Sequence, residues 1–199
     1  MEYLGVSIDL KHMPKLDPGF VPFGVWREAY LKGAAIPIAI AVERNDGKIT
    51  VWRTRIHGTE AFARADFRYV ERMVKFLLWS VGGFRIYLCG CPEIARRLRE
   101  DYTPTGNRAF DADFFRKVYE RDLEILDRPL EDCPQSNEAP RPLGGHLDGC
   151  RIGFDAGGSD RKVSAVMDGE CVYTEEVVWF PKLQEDPQYQ YRHIVKALR

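Results

Sequence analysis

Apolar residues recur along this chain in two rhythms, and the switches between them mark the elements. Alternating or continuous apolar runs over Leu4–Leu10, Ile36–Glu43, Ile49–Ile56 and Phe84–Cys89 read as strands. Asn45-Asp46-Gly47-Lys48 separates the second run from the third, and Asp-Gly tolerates the positive φ of a hairpin turn, so those two strands are expected to pair. A spacing of three to four residues takes over in Ala63–Trp79. There Phe67, Val70, Val74, Leu77 and Leu78 share one helical face, and Arg64, Arg68, Arg72 and Lys75 another, read as the solvated side. Shorter helices are expected over Gly24–Leu31, Pro92–Arg99 and Ala112–Arg121, the last capped by Asp111, with a strand at Leu123–Leu126.

From Asp127 to Gly145 the rhythm stops, and Pro129, Pro134, Pro140 and Pro142 among several acids read as a linker. Beyond it Arg151–Phe154, Lys162–Met167 and Cys171–Val178 form three closely spaced strands, with Asp168-Gly169 as a second hairpin turn, and Gln188–Arg199 is helical. The expected organisation is α/β in two parts: a mixed domain over 1–127, a Pro-rich linker over 128–147 and a second unit over 148–199.

Composition narrows the reading. With 45% hydrophobic and 30% charged residues, the 199-residue chain has the balance of a folded protein of one or two small domains. A net charge of -1 argues against a generally basic nucleic-acid binder. Residues 1–100 carry 16 Lys/Arg against 11 Asp/Glu and residues 101–199 carry 13 against 19, an asymmetry too weak to name a partner. The N-terminus has no basic segment leading into an apolar one, and the longest apolar run, near Gly33–Val42, is too short to span a membrane. Five cysteines without a disulfide pattern complete the expectation of a cytoplasmic protein. Cys89-Gly90-Cys91 is too tight for a zinc pair, His146 and Cys150 lack a second ligand pair, and His12, His57 and His193 have no evident partner.

The chemistry concentrates in Ile152-Gly153-Phe154-Asp155-Ala156-Gly157-Gly158-Ser159-Asp160-Arg161-Lys162. A strand delivers Asp155, a Gly-Gly-Ser turn follows, and the next strand leaves with a lysine. Glycines let a backbone approach an anion and aim successive N–H groups at it. Gly157, Gly158, Ser159 and Lys162 are therefore candidate phosphate ligands. Asp155 is a candidate for Mg²⁺, which takes carboxylate together with water and phosphate oxygens. No Walker loop, G-x-S-x-G, H-E-x-x-H or G-x-G-x-x-G occurs in the chain.

The pattern D-x-G-[GS]-[ST]-x-x-K formed by Asp155, Gly157, Gly158, Ser159 and Lys162 resembles the first phosphate motif of the actin/Hsp70/hexokinase superfamily. Its opening, Asp155-Ala156-Gly157-Gly158-Ser159, is most similar to the ROK family of sugar kinases and repressors, although Asp160 stands where that family usually carries Lys or Asn. The resemblance implies that 148–199 is the opening β-meander and helix of an actin-like, ribonuclease H-like ATPase domain. It also implies an ATP- and Mg²⁺-dependent sugar or small-molecule kinase. Its expected partners are a nucleotide and a sugar, with no nucleic acid and no membrane, and unpaired sheet edges suggest a homo-oligomer. Neither the ROK zinc motif nor a winged helix-turn-helix is present. The second phosphate motif, adenosine-binding Gly-Gly and catalytic Asp of such kinases have no counterpart in the 21 residues after Val178. The expectation is the front part of a longer protein, inactive alone. A non-catalytic regulatory or ligand-binding module and an activator-type ATPase are the alternatives.

Overall fold

The computed structural model describes residues 1–140 and 143–199; Pro142 of the expected linker, with Arg141, lies outside the described residues. Among the described residues the chain is mixed α/β with five helices, and it divides into two units, Met1–Ala139 and Pro140–Arg199.

The first unit opens with a miniature hairpin in which β1 (Glu2–Tyr3) and β2 (Val6–Ser7) pair antiparallel. Between them Leu4 and Gly5 both hold positive φ, 52° and 75°. The continuous strand expected over Leu4–Leu10 is thus broken by a turn. Leucine disfavours that conformation, so the pair lacks the signal that Asn-Gly or Asp-Gly gives. Helix α1 (Phe23–Leu31) follows and buries Trp26 and Tyr30. Next come β3 (Ile36–Arg44) and β4 (Lys48–Ile56), paired from Ile36↔Ile56 to Arg44↔Lys48 around left-handed Asp46 and Gly47.

The remaining elements are α2 (Ala63–Val81), β5 (Arg85–Cys89), α3 (Pro92–Asp101), α4 (Ala109–Tyr119) and β6 (Glu124–Arg128). The sheet order is β4-β3-β5-β6, antiparallel except for the parallel β5–β6 pair that α3 and α4 connect. Ile38, Ile40, Val42, Ile86 and Leu88 join the core that contains Val70, Val74 and Leu77 of α2. Ala39, Ala41 and Cys89 point the other way, into a smaller cluster with Cys133 and partly buried Leu130. A strand covered on both faces reads as the unbroken apolar run seen at Ile36–Val42.

That second cover comes from the segment expected to be linker. Asn137 is bound along β4: its amide nitrogen donates to Gly47 O at 2.8 Å and its side-chain oxygen accepts from Ile49 N at 2.7 Å. Glu138 accepts from Arg44 at 2.9 Å. The first unit therefore runs on to Ala139, twelve residues past the expected end at 127.

Helix α4 also differs from expectation, starting at Ala109 rather than Ala112, with Asp111 inside its first turn rather than at the cap. Its carboxylate is buried, accepts from the Trp79 indole at 2.7 Å and lies 3.3 Å from Lys75. Tertiary partners have taken the oxygen that capping would have used.

The second unit is the antiparallel meander β7 (Cys150–Ala156), β8 (Asp160–Met167) and β9 (Glu170–Val178), followed by α5 (Gln188–Ala197). Asp168 and Gly169, at φ 50° and 86°, make the expected two-residue turn. A register shift beside Ala165 and Val166 leaves Val172 as the extra residue of a bulge. Among the described residues no helix is long and apolar enough to cross a membrane.

Candidate functional site

The geometry of the second unit explains how the motif residues come together. Strand register pairs Asp155 with Lys162 and Lys162 with Glu176, so these three side chains share one face of the meander. Gly157, Gly158 and Ser159 form the turn between β7 and β8. A Cβ on Gly157 would lie 2.5 Å from the carbonyl oxygen of Asp160, so the reversal leaves no room for a side chain. At Gly158 a Cβ would meet only the end of Lys182, at 3.5 Å.

The turn is pinned from the end of β9. Trp179, 2% exposed, donates its indole N–H to Gly157 O at 2.7 Å and its backbone N–H to Ser159 O at 2.9 Å. Tyr189 and His193 of α5 pack around its ring, with ring centroids 6.4 and 5.7 Å away. Two carbonyls of the glycine turn are thereby committed, and the turn's shape is fixed independently of any ligand.

Asp160 is the most consequential neighbour. It accepts from Lys162 Nζ at 2.8 Å and from Ser159 Oγ at 3.3 Å. The hydrogen bond from Lys162 holds the Asp160 carboxyl below the ordinary carboxylate range, and the same contact raises the Lys162 ammonium. Two of the four predicted phosphate ligands are thus turned toward an acid of their own chain. Glu176 lies 3.9 Å from Lys162, which adds to the negative surroundings. An exposed Asp155 completes the group.

Sequence reasoning missed two residues here. Lys182 brings its Nζ to 3.6 Å from the place a Cβ of Gly158 would take, a second cation beside the turn. It lies 20 positions beyond Lys162, and no motif spacing announces it. Arg161 is fully buried, donates Nη1 to Glu175 at 3.0 Å and leaves Nε and Nη2 without partners among the described residues. A fully buried arginine beside a glycine turn is not something periodicity reveals, because arginine reads as surface.

For a metal, the test is the donor set. Among the described residues no three His, Cys, Asp or Glu side chains are grouped to hold an ion, so an all-protein cage does not fit. The exposed Asp155 carboxylate beside the glycine turn fits Mg²⁺ in the form that retains waters and takes phosphate oxygens. No protein-family profile, curated protein or solved structure matches the chain.

Proposed function

We propose that residues 148–199 are the phosphate-binding opening of an actin-like ATPase domain, serving an ATP- and Mg²⁺-dependent sugar or small-molecule kinase of ROK-like type. The observation that carries the reading is the juxtaposition of Asp155 and Lys162 on one face beside a Gly157–Ser159 turn held by Trp179. In this reading the backbone N–H groups of Gly158 and Ser159 face phosphate oxygens, Ser159 Oγ donates, and Lys162 with Lys182 neutralises charge. Mg²⁺ held through Asp155, water and phosphate would supply the compensating positive charge that this acid-rich face lacks. No phosphoryl-transfer step is assigned, because no carboxylate here is shown against a place for a sugar hydroxyl. The capture of Lys162 and Ser159 by Asp160 favours the second reading, a non-catalytic binding module that kept the hairpin as scaffold.

The test is a titration of the 199-residue chain with Mg²⁺·ATP, followed by the amide resonances of Gly157, Gly158 and Ser159. The expected result is weak, saturable movement at those amides that vanishes in Asp155→Ala. Movement elsewhere only, or an unchanged response in Asp155→Ala, overturns the assignment.

A further inference from the structure

Helix α2 carries a feature that its amphipathic pattern does not account for. Its polar face is not simply wet: Arg68, Arg72 and Lys75 are about two-thirds covered, with side-chain exposures of 36%, 36% and 32%. They line an open cleft of about 1070 Å³ that lies wholly within Met1–Ala139. Arg27 of α1 adds a fourth cation, against which the cleft sets only Asp17.

The same cleft is walled by aromatic rings that folding has left in water. Phe20, Trp52, Phe76 and Trp79 line it with exposures of 53%, 40%, 58% and 46%. Single exposed aromatics need no explanation, but four around one concavity leave a large apolar surface unsatisfied. Trp79 is held in place. The Trp79 indole N–H is tied to buried Asp111, and Phe114 stacks on its ring at 4.9 Å. A rigid ring costs little entropy when another ring settles on it.

Lys75 donates to the buried Asp111 carboxylate at 3.3 Å, whereas the two arginines form looser ion pairs. Glu71 and Asp111 are buried, and Arg108 bonds to Glu71. Arg68 and Arg72 approach Glu71 only to 3.7 Å, beyond hydrogen-bond reach. Their guanidinium groups are paired with Glu71 without hydrogen-bonding it.

A ligand that satisfies both the rings and the cations of this lining must be flat and apolar on its faces and anionic at its edge. We infer that this cleft binds nucleotides, the base stacking among Trp52, Phe76 and Trp79 and the phosphate meeting Arg68, Arg72 and Lys75, whether the nucleotide is free or part of a single strand. Aromatic platforms beside a cationic track are the general device for holding such units. A membrane surface offers the same charge, but it needs protruding rings, and these line a hollow. The net charge of -1 that argued against nucleic acid averages over the whole chain and conceals this local excess. The inference is independent of the phosphate hairpin, since none of its residues lies beyond Ala139.

The test uses the full chain and fluorescence anisotropy of a short labelled oligothymidylate, with AMP as competitor and phosphatidylserine vesicles as a separate arm. Saturable binding that AMP displaces is expected, with Trp52→Ala and Phe76→Ala each weakening it by about tenfold at fixed salt. Arg72→Gln should flatten the salt dependence by about one phosphate contact, a change of roughly 0.7 in logarithmic slope. Arg96→Gln, on the exposed face of α3, should change nothing. Much tighter oligonucleotide than AMP binding assigns the site to a strand, and comparable affinities assign it to a free nucleotide. Both exposed-ring variants are checked for native circular dichroism. No saturable binding, binding indifferent to Trp52→Ala and Phe76→Ala, or vesicle capture without nucleotide competition overturns the inference.

Discussion

The first unit closes its sheet on both faces, whereas the second covers little more than one end of one face. In Met1–Ala139 the inner strand β3 is sealed between helices on one side and the 129–138 segment on the other. In Pro140–Arg199 the strand register places Ile152, Ala165 and Tyr173 on the same face as Phe154 and Val163, yet Ile152 is 62% and Tyr173 52% exposed. Among the described residues beyond Ala139, Val163 and Trp179 are the only buried apolar side chains. The difference shows where each unit's order comes from. A filled core distributes stability over many contacts, while a thin one rests it on a few, and in the second unit the same tryptophan that makes the core also shapes the candidate phosphate turn.

The sharpest way to break this comparison is Trp179→Ala. Removing a fully buried tryptophan costs about 3–5 kcal/mol, which a unit with so small a core does not absorb. Amide signals of β7 to β9 should collapse while those of the first unit persist, and their survival would refute the assigned role. The matching truncation in the first unit, Leu88→Ala, should cost about 3 kcal/mol, read as a lower denaturation midpoint with the fold retained.

Loosening the segment over β4 is a smaller intervention. Asn137→Ala removes two side-chain hydrogen bonds, for about 1–2 kcal/mol, and should expose Cys133. Burial pushes the Cys89 and Cys91 thiols up to about 12. At pH 8 they remain protonated, and iodoacetamide should label the exposed Cys150 and Cys171 of the native protein. In Asn137→Ala, Cys133 should join them. Labelling of Cys89 at the same rate as Cys150 would contradict the sealed second face.

The mildest change is Asp160→Asn, which leaves stability unaltered but releases Lys162 and Ser159. It should strengthen Mg²⁺·ATP binding at the turn severalfold, measured by the same amide titration, and Lys182→Gln should weaken it. No gain in Asp160→Asn would mean that Lys162 is not a phosphate ligand.

Much of this architecture was legible because its signals are local. Asp168-Gly169 announces its turn by backbone preference alone, and Val70, Val74 and Leu77 announce α2 by spacing. What stayed hidden depends on distant partners. Pro129 and Pro134 look like linker because proline breaks periodicity, but Leu130, Cys133 and Asn137 dock by contacts with residues some 40 to 90 positions away. Asp111 has the chemistry of a cap, and only the arrival of Trp79 diverts it. At the candidate site the glycines and Asp155 stand out in sequence. Their real constraints, the Trp179 pin and the Asp160–Lys162 pair, do not, because a hydrogen-bond partner cannot be read from a motif that leaves its position open. The solvated reading of Arg68, Arg72 and Lys75 gave no sign of the cleft they line, because Phe20 and Trp52 reach it from outside α2.

The most direct test of the phosphate hairpin replaces Mg²⁺ with paramagnetic Mn²⁺ and maps which amides broaden. In the presence of ATP, broadening should centre on Asp155, Gly157, Gly158 and Ser159, and Asp155→Ala should abolish it. Broadening that centres elsewhere, or that persists at the turn in Asp155→Ala, would contradict the account.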